Sequence, residues 1–304
     1  MKIGLLTAIL GEYDFAQTAE FASKTGFEGL EVACWPSGKA GRRYAGVSHI
    51  DVDDTSEENV QRIKEICRKN RIEISALSYY PNIMDADREK AKACEEHLYK
   101  VIHAAQKLNV QVVGTFIGRD QTRSISWNME RFTDIWKPII REAEKCGVKI
   151  AIENCPMLFT EDEWPGGQNL ATTPKILRDM FERIPSDSFG LNFDPSHFVW
   201  QQMDYVKAVY EFRDKLFHVH FKDIAVDVEK FSQVGVMGLP LEYMEPRIPG
   251  HGDVKWKNFI EALYDVGYDG YAAVEIEDKE YEDNLDRIKE SITLSYNYLH
   301  GFMG

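Results

Sequence analysis

The sequence predicts a closed (β/α)8 barrel. Three observations carry that prediction. Eight short, apolar, β-rich runs alternate with amphipathic helical stretches along the 304 residues. Several helical stretches stop at a glycine or asparagine just before the next strand. The longer connections, around 34–55, 155–172 and 222–255, all follow the C-terminal ends of strands. Strict alternation implies parallel pairing, and eight such units over this length close into one barrel domain spanning residues 1–304.

In chain order, the first strand is "KIGLLT" (2–7), followed by "FAQTAEFASKTG", whose apolar residues recur at three- and four-residue spacing up to Gly26. "FEGLEVA" (27–33) is the second strand, and "SEENVQRIKEICRKN" returns as a helix ending at Asn70. "IEISALS" (72–78) is the third, followed by "REKAKACEEHLYKVIHAAQKLN" up to Asn109. "VQVVGTF" (110–116) is the fourth; Gly147 then announces "KIAIEN" (149–154), the fifth. "FGLNFD" (189–194), "LFHVHF" (216–221) and "YAAVEI" (271–276) complete the set, the last preceded by "WKNFIEALYDVG" and its stop at Gly267. A doubly wound open sheet would carry a glycine-rich phosphate turn after its first strand, and "TAILGEYDF" has only Gly11.

Composition narrows the partners. Thirty-six basic residues against 50 acidic ones give a net charge of −14, which disfavours nucleic acid and anionic membrane surfaces. The five cysteines (Cys34, Cys67, Cys94, Cys146, Cys155) are odd in number, far apart and without CxxC spacing, so they read as reduced thiols of a cytoplasmic protein. The opening "MKIGLLTAIL" is too short an apolar run for a signal peptide and meets Glu12 and Asp14 at once. No stretch has the length of a membrane span.

Three strand-like runs end in metal- or proton-binding groups: "NFDPSHF" (192–198), "HVHFKD" (218–223) and "AVEIED" (273–278). In a barrel the parallel strands converge on one rim, so side chains at their C-terminal ends meet across the axis. Glu153 ends strand five, Asp194 ends strand six, and His220 and Glu275 lie near the ends of strands seven and eight. Strand alternation puts His218 on the same side as His220 but one layer deeper, with Lys222 continuing that parity toward the rim. Buried carboxylates converging with an imidazole need a cation, so Glu153, Asp194, His220 and Glu275 are expected to hold one.

The combination of "AIEN" (151–154), "NFDPSH" (192–197), "FHVHFKD" (217–223), "RIPGHGDVKWKNFIEAL" (247–263) and "GYDGYAAVEIED" (267–278), with "RRYAGVSHIDVD" (42–53), resembles the sugar phosphate isomerase/epimerase family, a xylose isomerase-like TIM barrel. The resemblance implies a divalent metal on the same four residues, with His197 facing a small-molecule carbohydrate substrate. An oxygen-rich ligand set suits manganese or magnesium, with cobalt or zinc as alternatives. The implied reaction, isomerisation or epimerisation, removes a proton next to a metal-bound carbonyl through an enediolate. Glu153 and Glu275 take the roles of the two bases on opposite faces of the sugar.

The chain departs from the ketose 3-epimerases of that family at Phe159 and Val226, where those enzymes carry a second glutamate and an arginine. Lys222, Arg247 and His251 are therefore the expected alternative polar contacts. Trp35 and Trp200 either stack on a sugar face or cap the core. "GRRY" (41–44) reads as a phosphate clamp or as a solvated basic pair. His97 and His103, on the third helix, read as structural or surface residues, and Cys155, near the site but alone two residues beyond Glu153, leaves the expected metal unchanged. A lyase on the same site, of inosose dehydratase or C-glycoside-cleaving type, is the alternative function. An endonuclease IV-like phosphodiesterase would need more rim histidines and less negative charge. A homo-oligomer is compatible with all of these readings.

Overall fold

The computed structural model describes residues 1–36 and 44–303; Gly41, Arg42 and Arg43 of the "GRRY" reading lie outside the described residues. Strands β1 (Lys2–Leu6), β2 (Gly29–Ala33), β3 (Glu73–Ser78), β4 (Val112–Thr115), β5 (Lys149–Glu153), β6 (Phe189–Phe193) and β7 (Leu216–Phe221) appear where the apolar runs predict them. The connection after β7 holds a short antiparallel ribbon, β8 (Asp223–Val226) with β9 (Met244–Arg247), that the sequence reading had taken as plain loop. The last barrel strand is β10 (Tyr271–Val274). The barrel closes in the order β1-β10-β7-β6-β5-β4-β3-β2, with every pair parallel.

Helices pack around this barrel on the stripes that their periodicity supplies. Asp14, Ser56, Asp87 and Ser124 each accept a backbone N–H from the first turn of the helix that follows, which satisfies donors that would otherwise be lost. Asn109 and Gly147 close the third and fourth helices in the left-handed conformation, as the stop signals predict. Arg71, one residue past the expected Asn70, does the same for the second helix. No helix among the described residues is long and apolar enough to cross a membrane.

Two local irregularities in strand register matter for the site. One falls between Leu30 and Glu31 where β2 pairs β3, the other between Leu191 and Asn192 where β6 pairs β7. Each adjoins a polar side chain that ends up buried, Glu31 and Asn192, both 0 % exposed. A shift of register re-aims the side chains beside it, here into the barrel interior.

The start of the ribbon is tied down by Asp223, which is wholly buried. Its Oδ1 accepts from the N–H groups of Ile224 (2.9 Å) and Val254 (3.0 Å). Its Oδ2 accepts from Gly250 (2.9 Å), Gly252 (3.2 Å) and the indole of Trp256 (2.8 Å). The segment "PGHGDVKW" is thus wrapped around one carboxylate, and a Cβ on Gly252 would collide with it. Removing the acceptor strands several buried donors, so Asp223→Ala is expected to cost roughly 3 kcal/mol or more of stability. Chemical denaturation measures this; a loss under about 1 kcal/mol would show that water replaces the carboxylate.

Candidate metal centre and substrate cavity

Four consecutive strands of the closed order, β10-β7-β6-β5, bring the expected ligands together. Glu153 is the last residue of β5, and Asp194 follows β6 directly. His220 sits inside β7. Glu275 follows β10, its N–H still bonded to the Phe221 carbonyl (3.2 Å). One ligand atom from each residue lies within 4.8 Å of the other three.

The orientation of these atoms says more than their proximity. His220 Nδ1 is 2.9 Å from Glu275 Oε2 and 3.4 Å from Glu153 Oε1. Yet among the described residues Glu153 Oε1, Asp194 Oδ2, His220 Nδ1 and Glu275 Oε2 are all buried without a hydrogen-bond partner of acceptable geometry. The four atoms lie close together, yet none satisfies another with a well-formed hydrogen bond. Orphaned buried polar atoms are costly, and four of them this close together fit a cation. Three carboxylates and one imidazole form a hard, oxygen-rich set of the kind that suits an octahedral divalent ion.

The remaining atoms of each ligand are held from behind. Asp194 Oδ1 accepts the Ser196 N–H (2.7 Å), and the Asn154 amide clamps the Asp194 backbone on both sides at 2.8 Å. Glu275 Oε1 accepts from Lys222 Nζ (3.2 Å), which also pairs with Glu277. His220 Nε2 lies 2.9 Å from Glu31 Oε2 and 2.8 Å from Asn192 Nδ2; the tautomer that donates to Glu31 leaves Nδ1 facing the other ligands. Glu31 Oε1 in turn accepts from the Tyr80 hydroxyl (2.5 Å), to which Asn192 Nδ2 donates (2.8 Å). His218 lies deeper, as the strand parity predicts, between Asn192 (3.2 Å) and Ser75 (3.1 Å).

Glu31 is the functional residue that sequence reasoning missed. A single carboxylate inside the apolar run "GLEVA" was the available signal. Burial works against its ionisation, but His220 prevails and holds it below the usual glutamate range.

Without a metal, protons offset part of this negative charge. Burial opposes the imidazolium of His220, yet Glu31, Glu275 and Glu153 raise its pKa well above the usual value. His197 and Lys222 are raised in the same way despite burial. Burial would raise Glu153, but His220 and His197 hold it down at about 2, whereas burial wins at Asp194 and lifts it to about 6. Burial leaves His218 neutral, at about 4. A cation entering the site takes over the charge that the proton on His220 Nδ1 supplies.

Above the ligands opens a cavity of ≈ 840 Å³, lined by Glu153, His197, Lys222 and Glu275 and by both Trp35 and Trp200. His197 Nε2 stands 3.2 Å from Asp194 Oδ2 and 3.6 Å from Glu153 Oε1. The Cys155 sulfur lies within 4.8 Å of the ligand atoms of Glu153 and His197 and accepts the Met157 N–H (3.3 Å). Arg247 and His251 are not brought to the cavity. The Arg247 guanidinium is engaged by Glu280 (2.8 and 2.9 Å) and Asp278 (3.4 Å). His251 is exposed on the turn that Asp223 folds, its ring 6.4 Å from that of Tyr281. Phe159 and Val226 do line the cavity. His97 is bonded to the Cys34 carbonyl (2.8 Å) and His103 pairs with Glu142 (3.1 Å), both away from the site.

Over residues 19–298 the chain matches the xylose isomerase-like TIM barrel family. It belongs to that family. The uncharacterized protein YfiH of Bacillus subtilis is 26% identical over 91% of this chain and 93% of its own length. An inosose dehydratase of Lacticaseibacillus casei is 23% identical over 77% of this chain and 78% of its own. The fold is shared with D-psicose 3-epimerase from Clostridium cellulolyticum, with a TM-score of 0.72 at 17% identity and coverage of 100% and 99% of the two chains.

The Glu31 contact makes a prediction about metal affinity. Glu31→Gln keeps the shape but removes the charge behind His220, and divalent binding is expected to weaken roughly 10- to 100-fold while the protein stays folded. Manganese titration followed by calorimetry or electron paramagnetic resonance reads this directly. An unchanged affinity would mean that Glu31 does not orient the ligand.

Proposed function

We propose that this protein is a divalent-metal-dependent isomerase or epimerase of a keto-sugar or polyol derivative, with manganese or magnesium as the metal. One observation carries the reading: four unpaired ligand atoms converge at the floor of an open cavity, flanked by carboxylates on the outermost of the four ligand strands. A divalent ion held there supplies Lewis acidity, which polarises a substrate carbonyl and acidifies the neighbouring C–H.

The chain's own residues then handle protons. Glu153 on β5 and Glu275 after β10 approach from opposite ends of the ligand arc, so each addresses a different face of a substrate carbon lying between them. One removes the proton and the other returns it from the far side, which inverts the centre. His197 and Lys222, both buried at the cavity wall, donate to substrate hydroxyls. Asp194 Oδ2 lies 3.2 Å from His197 Nε2, and Glu277 pairs with Lys222.

A lyase is the second reading, favoured by the relationship to an inosose dehydratase and by Lys222. Here one glutamate removes the C–H proton next to the carbonyl, a β-hydroxyl leaves, and the Lys222 ammonium supplies the proton that lets it depart as water.

Glu153→Gln and Glu275→Gln separate the two readings. Both are expected to lose turnover by at least ~10²-fold, and in an epimerase only the variant lacking the facing base also stops exchange of the substrate proton with deuterated water. Elimination that survives one of the two substitutions would establish the lyase, and full activity in both would refute the assignment of bases. His197→Ala is expected to keep metal affinity and lose at least ~10-fold in kcat/KM. Loss of the metal in that variant would make His197 a ligand.

A further inference from the structure

The four-ligand centre leaves one buried atom beside it unexplained. His197 is 7% exposed, and among the described residues its Nε2 has no hydrogen-bond partner of acceptable geometry. Asp194 Oδ2 at 3.2 Å and Glu153 Oε1 at 3.6 Å are near it without completing a hydrogen bond. Cys155 makes a second group out of this orphan. Its sulfur, a ring nitrogen of His197 and a carboxylate oxygen of Glu153 all lie within 4.8 Å of one another.

The local chain holds this group in place. The buried Asn169 amide donates to the carbonyls of both Glu153 (3.1 Å) and Cys155 (2.7 Å), and its oxygen accepts the N–H groups of Ile117 and Gly118 (3.1 Å each). One side chain thus fixes two of the three residues relative to each other. The Met157 N–H donates to the sulfur (3.3 Å), and Cys155 is half-buried on the cavity lining, where an ion can reach it. Around a tetrahedral zinc, donor atoms stand about 3.3–3.7 Å apart. The His197 and Glu153 atoms, at 3.6 Å, already have that spacing. Charge allows a second ion. Glu31, Glu153, Asp194, Glu275 and Glu277 stand around the two groups, and Lys222 with one divalent ion answers only three of those five charges.

We infer that Glu153, Cys155 and His197 form a second cation site, selective for a thiophilic divalent ion of the zinc class, which shares the Glu153 carboxylate with the four-ligand centre. Hard ions of the manganese and magnesium class prefer the carboxylate set, whereas a thiolate beside an imidazole selects a softer one. Binding releases the Cys155 thiol proton, and any proton on His197 Nε2, to solvent and leaves the fourth position to water. The site itself is independent of the reaction. Its consequence rests on the proposed function: an ion there occupies Glu153, one of the two bases, and His197, a donor to the substrate, so zinc inhibits the manganese-loaded enzyme.

Cadmium is the probe, because its bond to a thiolate gives an ultraviolet charge-transfer band that carboxylate and imidazole ligands do not. Added in equimolar amount to the manganese-loaded protein, it is expected to produce that band while elemental analysis finds one manganese and one cadmium per chain. Cys155→Ser is expected to abolish the band and His197→Ala to weaken cadmium binding at least ~10-fold, with manganese affinity unchanged in both. Cys146→Ser, which removes the thiol grouped with His103 and Glu142 on the outer helices, is expected to keep the band. A band that survives Cys155→Ser or vanishes in Cys146→Ser, or cadmium that displaces manganese without a band, overturns the inference. Zinc is expected to suppress exchange of a keto-sugar proton with deuterated water at least ~10-fold less potently in Cys155→Ser than in the unsubstituted protein. Equal potency overturns the inhibitory role. If the band follows Cys155 but no keto-sugar exchanges a proton, the second site stands and the proposed function falls.

Discussion

The site depends on the electrostatic cost of bringing Glu153, Asp194 and Glu275 to one point beside His220, in a place where water cannot solvate them. Among the described residues, His220, His197 and Lys222 offset that cost with positive charge, and a cation would do the same. The supporting interactions on this side of the barrel serve that arrangement. The Asn154 amide fixes the chain at Asp194, Lys222 pins one oxygen of Glu275, and Glu31 sets the ring of His220. Each leaves free the one atom that faces the centre.

A second carboxylate, Asp223, does comparable work for the backbone. It sits one residue beyond Lys222 and gathers the turn 250–254 by accepting main-chain N–H groups, so the ribbon of β8 and β9 stands over the cavity mouth. Rigid support and substrate wall are therefore continuous in sequence. Lys222 faces the site, Asp223 faces the turn, and Ile224 returns to the cavity.

The barrel was legible because each strand is a short apolar run followed by a periodic helix and a left-handed stop. Register then follows from burial on both faces. The convergence of Glu153, Asp194, His220 and Glu275 was legible for a different reason: a carboxylate or imidazole at a strand's C-terminal end has a known destination in a parallel barrel. Glu31 was not, because its partner His220 lies 189 residues away and nothing near Glu31 in sequence announces the contact. Arg247 and His251 were read as substrate contacts because they lie in the long connection after strand seven, which also carries Gly250 and Gly252. Those glycines instead let the backbone approach Asp223, a relation between a side chain and main-chain N–H groups that leaves no residue pattern.

The central claim is that Glu153, Asp194, His220 and Glu275 bind one divalent ion at the floor of the cavity. Crystals soaked in manganese, with diffraction recorded above and below its absorption edge, test it most directly. The account predicts a single anomalous peak per chain within about 2.5 Å of Glu153 Oε1, Asp194 Oδ2, His220 Nδ1 and Glu275 Oε2. The absence of that peak, with the four side chains ordered and hydrogen-bonded to one another, would contradict it.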